Sequence, residues 1–239
     1  MDNFPIWADH LLAILVGVII PASSASRNHR SGGIPADLNT DQKKSFYLSA
    51  SLSLFIMAFI VMAVWLIFGR TLIDIGLRQP NDSNLQWWLT LLFIVIYAAD
   101  TVYTLSSRSH REKALEHLNK KTPFLPAVRS ELPLYLVMCL SAGVFEEMVF
   151  RGFLVTYCYY LFSGISYQWL WAIILPTVIF SVAHYYQGAK AVIKSLVLSF
   201  LFGYIFLVSG SLLIVMLLHF LVNVTGGLVA MWLTKMNRQ

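Results

Sequence analysis

Glu146 and Glu147, followed one turn later by Arg151, stand inside a stretch from Leu132 to Phe162 that holds no other charge. Each charge at mid-membrane depth costs roughly 2.5–3.5 kcal/mol, so the trio represents roughly 8–10 kcal/mol unless its members are paired. Two further apolar stretches carry polar groups of the same kind. Phe180 and His184 are four residues apart in one, and His219 and Asn223 four apart in the next. These residue types share a chemistry. A carboxylate takes a proton from water as a general base, and an imidazole can assist it. An imidazole or side-chain amide donates to an oxygen on which negative charge develops. A single histidine or asparagine would be explained as polar glue between helices, worth about 0.6 kcal/mol on average. Six groups on three separate segments, Glu146, Glu147, Arg151, His184, His219 and Asn223, are read as one site.

The elements that must position these groups are membrane helices. Hydrophobic residues make up 58% and charged residues 12% of the 239-residue chain, with a mean hydropathy of +0.68. Soluble domains carry about 25% charged residues. Runs near the length of about 20 apolar residues that crosses a bilayer occur at Trp7–Ala25, Phe46–Phe68, Trp87–Leu105, Leu132–Phe162, Trp169–Tyr186, Val192–Val208 and Leu212–Leu233. Such lengths select helices over barrel strands. The fold class expected is all-α, a polytopic transmembrane helix bundle of about seven spans.

The net charge of +5 is explained by topology. Of the 17 Lys and Arg, Arg27, Arg30, Lys43, Lys44, Arg108, Arg111, Lys113, Lys120, Lys121, Arg129, Lys190, Lys194, Lys235 and Arg238 fall on one side. Arg70 and Arg78 fall on the other, and Arg151 lies within a span. The positive-inside rule then gives a multi-pass integral membrane protein with its N-terminus outside and its C-terminus in the cytoplasm. No nucleic-acid partner is needed. A cleaved signal peptide ending near Ala22–Ala25 is disfavoured, because Met1–Asp9 has no Lys or Arg and cleavage would reverse every later span. Cys139 and Cys158 read as small buried hydrophobes.

On a helix, Glu147 and Arg151 are i,i+4 neighbours in the favourable order for an ion pair, while Glu146 is turned about 100° away. The spacing therefore proposes a structural ion pair, Glu147 with Arg151, and an uncommitted carboxylate at Glu146. His219 and Asn223 share a face in the same way.

Glu-Glu-x3-Arg, then Phe-x3-His, then His-x3-Asn on successive helices resembles the CPBP family of CAAX proteases and bacteriocin-processing enzymes, also called the Abi family of intramembrane proteases. The likeness extends to Arg151-Gly152 and to Ser209-Gly210-Ser211-Leu212, and covers about Leu132–Leu233. It implies an intramembrane endopeptidase, CAAX-protease-like, in which Glu146 activates a water with help from His184, and His219 with Asn223 stabilises the oxyanion. It also implies division of the chain into residues 1–131, variable N-terminal helices with cytoplasmic loops, and residues 132–239, a catalytic four-helix core. Members are often described as metalloproteases, and one glutamate with two histidines is similar to a catalytic zinc set. Glu146, His184 and His219 would be the ligands of such a divalent metal. The chain has no His-Glu-x2-His pair on one helix, and a metal-free, glutamate-activated water is the preferred reading. The partners implied are the bilayer and a peptide or membrane-protein substrate, with or without a lipid.

Depth poses a problem for this assembly. His184 falls near the cytoplasmic end of its helix, whereas His219 is about eight residues from the outer end of its own. They meet if helices tilt, or if Leu125–Leu140 lies partly in the membrane plane, broken at Pro123, Pro126 or Pro133. Two alternatives belong to other classes: a non-catalytic immunity or scaffold protein of the same fold, and a proton-coupled transporter using the same charges as a relay.

Overall fold

The computed structural model describes residues 4–21, 35 and 38–237. Arg27, Arg30, Arg238 and the small residues 22–25 lie outside them. All regular structure among the described residues is helical. The helices are α1 (Trp7–Ile14, continued by a π turn over Leu15–Ile19), α2 (Thr40–Ile67), α3 (Asn84–Leu105), α4 (Arg108–Lys121), α5 (Arg129–Leu161), α6 (Gln168–Ala183), α7 (Ala189–Ser209) and α8 (Leu212–Met236). Of the seven apolar segments, α2, α3, α5, α7 and α8 have the length and composition to cross a membrane. α1 and α6 are shorter apolar helices. The polar α4 lies in the connection between α3 and α5.

α5 is the axis of the bundle. Every residue from Glu147 to Cys158 is buried, as expected of a helix covered on all sides. On one side Val149 and Phe153 pack with Leu12 and Val16 of α1, Val61 and Trp65 of α2, and Ala172 and Phe180 of α6. On the other, Met148 and Val155 pack with Phe93 of α3, Phe202 and Ile205 of α7, and Val215 and Leu218 of α8. The outward faces keep large apolar side chains exposed, including Phe55 and Phe59 of α2, Trp88 and Val95 of α3, and Leu217 and Leu221 of α8. That is the surface a bilayer covers.

Lipid is as apolar as a helix face, so close approach and polar contacts must select the helix arrangement. Buried Asp9 takes a two-pronged contact from Arg70, 2.6 Å at each oxygen, which holds α1 against the connection after α2. Lys43 reaches Glu131 at 3.6 Å and donates to the Leu125 carbonyl at 2.9 Å. Lys43 was expected in a loop. It is instead buried in α2, which starts at Thr40, six residues ahead of the apolar run, because Asn39 and Gln42 cap it reciprocally.

Three expectations are corrected. The chain does not break at Pro133: α5 runs from Arg129 to Leu161, with Pro133 in its first turn, where proline is tolerated. The break falls earlier, with Pro123 and Pro126 in the connection between α4 and α5. The segment Trp169–Tyr186 is α-helical only to Ala183, so His184 is the residue that ends α6, ahead of a 3-10 turn over Tyr185–Gln187. Finally, α5 is not α-helical around the glutamates, because Ala142–Glu146 and Met148–Val155 are π-helical. Such wide i→i+5 turns are rare, occur mostly as short insertions in α-helices and are frequent at functional sites.

Candidate functional site

Gly143 sets the distance between the glutamate helix and the last helix. A Cβ there would stand 3.0 Å from both the Met216 carbonyl oxygen and the Phe220 amide nitrogen of α8, tighter than side chains normally come. Backbone contact at this point brings Glu147 beside His219. The imidazole Nδ1–H donates to Glu147 Oε1 at 2.6 Å. The same oxygen accepts from Arg151 Nη1 at 2.9 Å. Glu147 thus holds a guanidinium with one edge of its carboxylate and orients a ring with the same atom.

Arg151 is satisfied from several helices. Its Nη2 donates to the Ser199 hydroxyl of α7 at 2.8 Å, and that hydroxyl donates onward to Thr177 Oγ1 of α6 at 3.4 Å. The guanidinium also lies 4.7 Å from the Phe180 ring centroid and 5.4 Å from that of Phe202. Glu147 is fully buried and Arg151 is 2% exposed. A charge pair in such a place needs partners for its remaining donors and acceptors; Arg151 finds them, whereas Glu147 Oε2 is buried without one among the described residues.

Glu146 is placed differently. Its side chain is 16% exposed, and Oε2 lies 3.8 Å from His219 Nε2. His219 therefore stands between the two glutamates, bonded to Glu147 through Nδ1 and facing Glu146 through Nε2. Because Glu147 accepts the Nδ1 proton, Nε2 is the nitrogen left for chemistry.

His184 reaches the same place from beyond the end of α6. Its Nδ1–H donates to the Phe180 carbonyl at 2.8 Å, which caps one of the open carbonyls of α6 and leaves Nε2 free. The ring folds back over Phe180, 4.5 Å between centroids, and Phe180 in turn sits 6.1 Å from the His219 ring. Phe180 thus separates the two imidazoles as a spacer. The 16 residues of α6 span only about 24 Å, short of the roughly 30 Å hydrocarbon core. The helix ends early, with His184 at its end folded back over Phe180. Tyr186 stacks on His184 at 6.2 Å. Asn223 is half-buried one turn after His219 on α8.

The structure therefore brings Arg151, His184 and His219 around Phe180, with Glu146 and Glu147 on either side of the His219 ring and Asn223 one turn further along α8. It gives His219, rather than His184, the closest approach to Glu146. Ser199, Thr177, Phe202 and Gly143 went unnoticed in the sequence. A hydroxyl in an apolar helix was the available signal for Ser199 and Thr177, but it carries no direction. Among the described residues no three His, Cys, Asp or Glu side chains converge as a metal-binding group. His219 Nδ1 is engaged by Glu147, and the donors remaining on Glu146, His184 and His219 do not form a ligand set.

Residues 128–225, which span from the start of α5 to just beyond Asn223, match the family model described as Type II CAAX prenyl endopeptidase Rce1-like. The match places this segment in the CPBP family of CAAX proteases. No curated protein and no solved structure matches the chain. The CPBP segment contains every one of the six site residues and all of α5, α6 and α7. Its helices, together with α2, α3 and α8, make the chain a multi-pass integral membrane protein.

Proposed function

We propose that the protein is an intramembrane endopeptidase of the CAAX-protease type, in which Glu146 activates the hydrolytic water. The observation that carries this reading is the unequal state of the two glutamates. Glu147 is closed off by Arg151 and His219, while Glu146 keeps a partly exposed carboxylate beside His219 Nε2.

In the proposed reaction a water held between Glu146 and the free Nε2 of His184 gives its proton to Glu146 as its oxygen bonds to the substrate carbonyl carbon. Negative charge then develops on the carbonyl oxygen. Asn223 donates to it through its amide, and His219 donates through Nε2 when both ring nitrogens carry protons. Glu147 fixes that ring while Arg151 balances its charge. The C–N bond breaks as Glu146 returns the proton to the leaving amine. Removing one oxyanion donor typically costs about 10²–10³-fold in kcat, so His219 and Asn223 each belong to the expected loss-of-function set.

The substrate class that goes with this reading is a peptide at the membrane, prenylated or not, approaching from the cytoplasm near the turn that follows α6. Residues 132–239 form the catalytic part in this proposal, and the earlier helices support it. The test is a comparison of membrane proteomes from cells carrying the intact protein and Glu146→Gln. New protein termini should appear only with the intact protein. Identical sets of termini from both strains would overturn the reading.

A further inference from the structure

We infer that Tyr97 and Tyr135 form a two-sided clamp on α8 that positions Asn223, the amide placed at the oxyanion in the proposed reaction. The inference rests on that reading for its consequence but on separate geometry for its substance. Tyr135 of α5 donates its hydroxyl to the Asn223 carbonyl at 2.7 Å. Tyr97 of α3 donates to the carbonyl of the preceding residue, Val222, at 3.0 Å. Two hydroxyls from two different helices thus take the second lone pairs of consecutive carbonyls in one turn of α8.

That turn needs holding. The helical partners of these two carbonyls, four residues on, are the amides of Gly226 and Gly227. Adjacent glycines in a helix interior weaken it, since glycine gains the most freedom when the turn opens. Gly227 cannot be replaced without displacement, because a Cβ there would run into the Tyr135 ring. The glycine is what lets Tyr135 lie against α8 and reach the Asn223 carbonyl. Gly226 is different, having open space around its missing Cβ, so no neighbour requires a glycine there. A soft turn beginning three residues beyond Asn223 and two hydroxyls that bracket it make a device in which the amide's position depends on Tyr97 and Tyr135. Neither tyrosine reaches the reacting atoms. They are positioning residues.

The bland alternative is that each hydroxyl merely satisfies itself against a helix carbonyl. The two are separated by purifying the full chain, Tyr135→Phe, Tyr97→Phe, the double variant, Asn223→Ala and Tyr135→Phe with Gly226→Ala. Each is measured for amide hydrogen exchange across α8, for thermal midpoint and for cleavage of a prenylated fluorogenic CAAX peptide. The clamp predicts exchange at residues 224–230 about tenfold faster in Tyr135→Phe and more in the double variant, with the rest of the bundle and the midpoint unchanged. It also predicts kcat down about tenfold with KM held, as expected for a misplaced group. Stiffening the turn with Gly226→Ala should restore both. Unchanged exchange in the double variant overturns the clamp. Faster exchange with normal kcat overturns its positioning role, provided Asn223→Ala is impaired. If Asn223→Ala cleaves normally, the reaction reading fails, and the clamp stands or falls on exchange alone.

Discussion

The two adjacent glutamates have opposite surroundings, and substitution should separate them. Breaking a buried pair costs about 3–5 kcal/mol because one charge is left without a partner. Glu147→Ala and Arg151→Ala should therefore lower the thermal midpoint and the folding yield along with cleavage, read by thermal unfolding in detergent. Glu147→Ala should be the more damaging to turnover, since it also frees the His219 ring. Glu146→Gln keeps volume and hydrogen bonding but cannot take a proton. Cleavage should fall about 10²-fold or more with the midpoint unchanged. A normal turnover, or unfolding as severe as in Arg151→Ala, would reverse the assignment of base and lock. Metal is tested at the same scale. Purified protein treated with a chelator should retain cleavage, whereas stoichiometric zinc with activity lost on chelation and restored by zinc would reassign Glu146, His184 and His219 as ligands.

At the scale of elements, the site depends on how closely α5 meets α8. Gly143→Val would put branched carbon against the Met216 carbonyl and Phe220 amide, which already lie at the limit for a single Cβ. Overpacking of this kind costs about 1–3 kcal/mol. The catalytic consequence should exceed the loss of stability, because separation of the helices moves Glu146 away from His219. Cleavage and thermal midpoint measured on Gly143→Ala and Gly143→Val should show activity falling faster than stability along that series. The turn between α7 and α8 is the second such contact. Gly210 takes φ +63° there, Ser211 caps α8 through the Leu213 amide, and the Leu212 amide donates to the Gly76 carbonyl. This is the physical content of Ser209-Gly210-Ser211-Leu212: it starts α8 abruptly, at the height that carries His219 into the bundle.

For the whole molecule, the distribution of charge predicts an orientation. With Arg70 and Arg78 on one side and the basic connections on the other, Ser163–Gln168 is expected outside and Ser106–Glu131 in the cytoplasm. Ser166 and Ser109 are both exposed on the protein surface. Single cysteines placed there in a cysteine-free background should label oppositely when a membrane-impermeant reagent is added to sealed cells. Equal labelling from outside would reject this orientation and the cytoplasmic approach of substrate with it.

Local rules carried a large part of this protein. Composition and apolar run length determined a helical membrane bundle, and helical spacing alone put Arg151 in reach of Glu147, because an i,i+4 contact needs no other part of the chain. The order of the three motifs pointed to the family whose model matches residues 128–225. Contacts between segments distant in sequence were decided only by tertiary structure. His219 lies 72 positions from the carboxylate that holds it, and Ser199 lies 48 from Arg151. No periodicity encodes such distances. Likewise the early end of α6, the π turns around the glutamates and the close meeting at Gly143 follow from how the helices crowd one another. A stretch of apolar letters reads the same whether its helix is wide or narrow, long enough or one turn short.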